Sequence, residues 1–159
     1  MFEKTSATAD LGSSVRQIEP RENHAVPTLL GRVDYADAFL VDVPAGDRTA
    51  EAWLRLMLQG APPGMRLRLV AAWTALGLKL NPTGRSILGW PIRASDDDHV
   101  LVGADSRVGM PAELLICRRG DGLLFGTRAR HDNPVVRRVW SIAEPSHVHT
   151  VHWLLRRLS

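Results

Sequence analysis

At 159 residues, 45% hydrophobic and 23% charged, the chain has the size and balance of one packed domain, and no apolar run approaches the ~18 residues of a membrane span. Its formal charge of +3 comes almost wholly from arginine, since Lys4 and Lys79 are the only lysines, and the arginines fall in short scattered groups such as Arg118-Arg119 and Arg137-Arg138. Without aromatic interleaving or a recognition motif, that pattern reads as a solvated basic surface and argues against a nucleic-acid module.

The opening stretch MFEKTSATADLGSSVRQIEPRENH mixes both charge signs with Ser, Thr and Gly and lacks the apolar centre of a secretory signal. A flexible N-terminal segment is therefore expected over residues 1–32, and a single folded domain over 33–159. The lone cysteine, Cys117, leaves no internal disulfide and no cysteine-based zinc cage, which suits a reducing cytoplasm. It lies in a strand-like run and is expected to be simply buried.

Residues 38–43 (AFLVDV) read as a short strand before the turn residues Pro44, Ala45 and Gly46, with Asp47 placed to cap a helix over 48–59. Ala52, Trp53, Leu56 and Met57 recur there at helical spacing, and Gly60, Pro62 and Pro63 stop it. A second helix, 65–78, is rich in Leu, Ala and Val around Trp73 and apolar nearly all round, so burial is expected. After Asn81-Pro82-Thr83-Gly84 the period becomes that of strands, at 87–93, 99–104, 112–118 and 123–131, joined by Asp96-Asp97-Asp98, Gly109 and Gly120-Asp121-Gly122. Four consecutive strands with short turns imply an antiparallel meander. Alternation puts Leu123, Phe125, Thr127, Ala129 and His131 on the inward face of the last strand, with Gly126, Arg128 and Arg130 opposite. In the first meander strand it groups Leu88, Trp90 and Ile92, while Pro91 restricts that strand to an edge or a bulge.

The chain closes on NPVVRRVWSIAEPSHVHTVHWLLRRLS, which reads as one long helix with Asn133 as N-cap and Pro134 at its first position. At about 100° per residue, Val135, Val136, Val139, Trp140, Ala143, His147, Thr150, Trp153, Leu154 and Leu158 share one face, leaving Val148 and Leu155 as misfits on the polar side. Pro145 removes a hydrogen bond at a cost of roughly 3 kcal/mol, yet the stripe continues in phase beyond it, so a kink and not an end is expected.

Other chemistry finds little support. His147 and His149 lie about 200° apart on the helix and cannot share an ion, while His149 and His152 occupy the polar face without an acidic partner, so no metal site is expected. No Gly-x-Ser-x-Gly elbow is present, and Ser86, Ser106 and Ser141 have no recognisable base. Asp96, Asp97 and Asp98 suit a hairpin turn.

The order strand, helix, helix, antiparallel strands, long helix resembles an uncharacterised bacterial family within the START-like superfamily, also called SRPBCC or polyketide cyclase-like. The carriers are DYADAFLVDVPAGDRTAEAWLRLMLQGAPP, WTALGLKL, ILGWPI and VVRRVWSIAEPSHVHTVHWLLRRL, in which Trp140, Pro145, His147 and Leu154 to Arg157 match the family's closing helix. The resemblance implies an α+β helix-grip fold: a bent antiparallel sheet wrapped around the long C-terminal helix, two shorter helices after the first strand, and a cavity between sheet and helix. It implies a hydrophobic ligand such as a lipid or polyketide and, because similar domains occur fused behind oxidoreductase-like domains, an oxidoreductase partner; no cofactor is expected. Combined with the faces above, the cavity would be lined by Trp140, Ala143 and His147 from the helix, Phe125 and Thr127 from the last strand, and Trp90 and Met110 from the sheet. His147 is either a core histidine bonded to backbone or a group that orients a ligand or acts as acid and base. Three functions stay open: a binding domain oriented by His147, Thr127 or an arginine at the mouth; a cyclase, dehydratase or hydrolase using His147; and an interaction domain with a vestigial cavity.

Overall fold

The structure, a computed structural model, describes residues 15–120 and 122–159. Seven strands make one antiparallel sheet: β1 Val15–Ile18, β2 Tyr35–Val41, β3 Ser86–Ile87, β4 Trp90–Ser95, β5 His99–Ala104, β6 Ala112–Arg119 and β7 Gly122–Ala129, in the order β1-β2-β7-β6-β5-β4-β3. The expected meander is its larger part. β2 enters beside the last meander strand, with Tyr35 opposite Ala129, Asp37 opposite Thr127 and Phe39 opposite Phe125.

Strand β2 begins at Tyr35, three residues before the expected start at Ala38. The expected single strand over 87–93 is two, because the chain turns at Leu88 (φ 48°) and Gly89 (φ 92°) and pairs Ile87 with Trp90. Two successive positive φ values are what a tight hairpin needs to match strand twist, and Leu88 accepts a conformation costing about 1 kcal/mol to do so. Leu88 therefore does not share a strand face with Trp90 and Ile92. Pro91 stands where only the two-residue β3 lies beyond β4, beside a bulge between Ile92 and Ala94. At the next turn the Asp96 carboxylate accepts from the backbone N–H groups of Asp98 and His99, which holds its pKa below the usual carboxylate value.

Three helices cover one face. In α1, Ala50–Leu58, the cap is Thr49, whose Oγ1 accepts from Ala52 N at 3.1 Å, and not Asp47. The Ala50 N–H donates to the Asp97 carbonyl, so docking on the Asp96 turn fixes where the helix starts. The next helix, α2, spans Pro63–Ala75, and against expectation only Leu69 in it is buried while Leu67 is exposed. Its apolar residues are spread around the circumference, so any one docked side leaves the others in solvent.

The closing helix α3, Pro134–Arg156, starts as expected, with Asn133 Oδ1 accepting from Val136 N at 3.0 Å, and runs as one helix through Pro145. Its buried line is rotated from the expected one: Val136, Trp140, Val151, Leu154 and Leu155 are buried, whereas Val135, Val139, Ile142 and Trp153 are exposed. The supposed misfits Leu155 and Val148 both pack on the core that also holds Phe39, Phe125 and the buried residues of α1.

The other face of the sheet is covered by the segment expected to be flexible. Residues 15–32 include β1, which pairs with β2, and a 3-10 helix, Pro20–Ala25, while 1–14 of that expected segment lie outside the described residues. Val26 packs with Leu101, Leu115, Cys117 and Leu124. Beside it Arg128 and Glu113 form a buried ion pair at 3.0 Å. The Arg128 guanidinium donates to the Val26 carbonyl at 2.6 Å, and Glu113 accepts from Thr28 Oγ1 at 2.8 Å and Leu29 N at 2.7 Å. Gly126 lets the segment approach, since a Cβ there would meet Asn23 Cβ at 3.0 Å and the Asp37 carbonyl at 3.2 Å. The polar composition that suggests flexibility is here a set of partners for a polar patch on the sheet.

Candidate functional site

Between the sheet and the three helices the side chains leave a cavity of about 180 Å³. All seven residues expected to line it do so: Trp90, Met110, Phe125, Thr127, Trp140, Ala143 and His147. The same alternation that buries Phe125 brings Thr127 to the inner face of β7, and Ala143 and His147 follow Trp140 at one-turn intervals on α3. Met57 and Leu58 of α1 and Leu69 and Trp73 of α2 complete the walls, with Trp73 edge-on to Trp90 at 5.4 Å between ring centroids. These four came from helices whose inward sides the pattern did not assign to a site. No Arg, Lys, Asp or Glu lines the cavity, so the arginine expected at its mouth is not among the lining residues.

Behind this wall lies a residue that the sequence reading missed. Asp37 on β2 is 1% exposed, accepts from Thr127 N at 2.9 Å through Oδ1 and from Tyr35 Oη at 2.7 Å through Oδ2, and its Oδ2 is 3.0 Å from His147 Nε2. A carboxylate only accepts, so Nε2 carries the hydrogen in this pair and Nδ1 is the free ring nitrogen. His147 is thus held by a carboxylate from the sheet and not by backbone. Trp140 packs 5.0 Å from Tyr35 and 5.0 Å from His147, fixing the ring between them. Burial, and then the Asp37 charge and hydrogen bond, push the Tyr35 hydroxyl well above its ordinary pKa, so it stays protonated as a donor. The signal for Asp37 was present: in YADAFLV, alternation puts Tyr35, Asp37, Phe39 and Val41 on one face, a carboxylate among apolar residues. An expected strand beginning at Ala38 stopped one residue short of it.

Three buried polar atoms on cavity-lining residues have no hydrogen-bond partner: Thr127 Oγ1, Trp90 Nε1 and Trp140 Nε1. Buried polar groups are rarely left so, because each costs about 1–3 kcal/mol.

A second recess, about 340 Å³ and broadly open, adjoins Trp140 on its other side and is lined by Asp34, Tyr35, His131, Arg137, Ser141 and Glu144. It is larger than the cavity, yet its exposed charges make it a surface groove. His131, expected on the inner face, lies here, where burial lowers its pKa. Cys117 is buried on the outer face and its thiol is pushed up to about 11 by burial, which suits packing and not nucleophilic chemistry. Among the described residues no three His, Cys, Asp or Glu gather as a metal site, and no helix is long and apolar enough to cross a membrane. No family model, no curated protein and no solved structure matches this chain.

Proposed function

We propose that this chain is a START-like domain of helix-grip type that binds a hydrophobic small molecule in the cavity between sheet and α3. The observation that carries the reading is the cavity itself: about 180 Å³, without Arg, Lys, Asp or Glu in its walls and roofed by the closing helix. Support for the fold assignment comes from the element order, in which β1, β2 and two helices precede the meander and a long C-terminal helix crosses the sheet face those helices also cover. The volume exceeds the ~150 Å³ of an engineered apolar cavity that takes benzene and falls short of the ~300 Å³ where drug-sized pockets begin. Compact metabolites suit it better than sterols or long acyl chains. An interaction domain with a collapsed cavity has no comparable observation behind it.

Native mass spectrometry of the protein purified from its own host is expected to show a co-purifying small molecule. Ala143→Leu, which adds three carbons inside the cavity wall, is expected to abolish that adduct while shifting stability by no more than about 1–3 kcal/mol. A wild-type spectrum free of adducts, with no shift across a metabolite library, counts against the cavity as a binding site.

One observation favours a second reading, an enzyme of cyclase, dehydratase or hydrolase type. A buried carboxylate orienting an imidazole whose other nitrogen is free is the arrangement of a general base. In that case His147→Gln should lower turnover of any identified substrate by roughly 10²–10⁴-fold with Kd nearly unchanged. Equal loss of both, or of neither, assigns His147 to binding or to structure.

A further inference from the structure

We propose that the ligand is a compact apolar molecule carrying one acidic hydroxyl, that of a phenol, an enol or a carboxylic acid, which donates to Nδ1 of His147. The proposal rests on the binding reading and narrows it to a chemical class.

An occupant can use only the polar atoms it can reach. Thr127 Oγ1, Trp90 Nε1 and Trp140 Nε1 are sealed by their neighbours and take no part. His147 differs, because its side chain keeps 18% of its surface and its Nδ1, which has no partner among the described residues, is not one of the sealed atoms. The ring lines this cavity and not the recess beyond Trp140. Ser146 and Thr150 also line it, and Thr150 lies three residues after His147 and four after Ser146, so the three neighbour one another on a single turn of α3. Of all the lining residues only Ser146 and Ala72, on α2, are exposed, so the cavity opens between α2 and α3 at this polar turn. Trp90, Met110, Leu114 and Phe125 are buried walls away from it. The space therefore suits an apolar body with its polar group at His147.

The Asp37 contact decides what that group is. With Nε2–H given to Asp37 Oδ2, the neutral ring presents Nδ1 as a bare acceptor. A carbonyl or ether would set lone pair against lone pair, whereas a hydroxyl completes the bond. Acidity strengthens it, since the Asp37 carboxylate behind the ring stabilises an imidazolium and lets the shared proton move toward Nδ1, and charge-assisted hydrogen bonds are about twice as strong as neutral ones. A carboxylate from solution reaches the same arrangement by bringing one proton with it. The other titratable groups around the ring are Tyr35 on β2, which stays protonated, and Glu144 one turn earlier on α3. The walls contributed by β7, α1 and α2 hold none.

The test titrates four probes of similar size calorimetrically into the full chain at pH 8: 4-ethylphenol, 4-methylbenzoate, 4-methylacetophenone and 4-ethyltoluene. The phenol and the benzoate are expected to bind at least about tenfold more tightly than the ketone and the hydrocarbon, the ratio one good hydrogen bond supports. Across buffers of different ionisation enthalpy, the benzoate should take up close to one proton per molecule bound and the phenol none. In His147→Gln, whose amide NH2 can still serve Asp37, the preference should vanish while the protein melts close to wild type. In the wild type, the Nδ1 nitrogen resonance should move toward its protonated position on adding 4-ethylphenol, a reading that needs no variant. The ketone or the hydrocarbon binding as well as the phenol overturns the ligand class and leaves the binding reading standing. Benzoate binding without proton uptake overturns the bare acceptor at Nδ1. An unmoved resonance, or an undiminished preference in His147→Gln, overturns His147 as the contact. If none of the four binds, the class falls, and the native spectrum decides separately whether the cavity binds anything.

Discussion

Arg128→Ala is expected to destabilise the protein by roughly 3–5 kcal/mol, because it leaves the Glu113 carboxylate buried without its counter-charge. The side chains of the pair are 3% and 2% exposed at 3.0 Å, so neither charge can recover hydration without the segment around Val26 lifting away. Burial pulls the Arg128 guanidinium below its usual pKa against the opposing pull of Glu113, the signature of a pair whose desolvation is large. A domain of this size has only about 5–15 kcal/mol to lose. The midpoint of urea unfolding measures the loss, and proteolysis should cut residues 19–30 first, since Thr28 and Leu29 hold to the sheet through Glu113. Replacing both members, Glu113→Leu with Arg128→Met, should regain a large part of the stability, as apolar substitutes for buried pairs often do. A single variant with the wild-type midpoint would sink this account of the outer face.

Asp37→Ala should be comparably severe, at roughly 3–5 kcal/mol, for a different reason. One carboxylate that is 1% exposed serves Thr127 N, Tyr35 Oη and His147 Nε2, and its removal strands all three beside an apolar cavity. Asp37→Asn separates structure from chemistry. Its amide oxygen can still accept from Thr127 N, while its NH2 group would face His147 and ask the ring nitrogen to accept. The imidazole should therefore switch from Nε2–H to Nδ1–H, which proton-coupled nitrogen NMR of His147 reads directly. Any acid-base role would then be lost with the fold kept. Wild-type stability in Asp37→Ala, or an unchanged tautomer in Asp37→Asn, contradicts the arrangement.

The parts of this molecule legible in its sequence are those governed by local periodicity. The β5 strand His99–Ala104, the cap at Asn133 and the inward placing of Phe125 and Thr127 on β7 and of Trp140, Ala143 and His147 on α3 follow from alternation, helical spacing and side-chain capping, each local in sequence, whereas Met110 lies in no strand and has no such pattern. What escaped depends on partners far along the chain. Thr49 in place of Asp47 as the cap is decided by the hydrogen bond from Ala50 to Asp97, and the turn at Leu88 by a hairpin that puts a leucine at positive φ. Asp37 looks like an interruption of a strand until His147 and Tyr35 are seen around it. Asn23, Thr28 and Leu29 look like a solvated leader because the patch they cover, Arg128 and Glu113, is itself polar. Burial of polar groups against polar groups leaves no hydrophobic pattern to read.

The pairing of β2 with β7 sets an order of assembly. Tyr35 has its partner at Ala129 and Val41 at Leu123, so an early strand must wait for a late one, and closing that long loop is entropically costly. The hairpins of β4 through β7 need only short loops and can form first. Until β2 returns, β7 is an open edge whose Leu123, Leu124 and Phe125 offer an apolar template for pairing with another chain. During synthesis that edge emerges only shortly before α3, so the interval of exposure is set by how fast β2 returns to it.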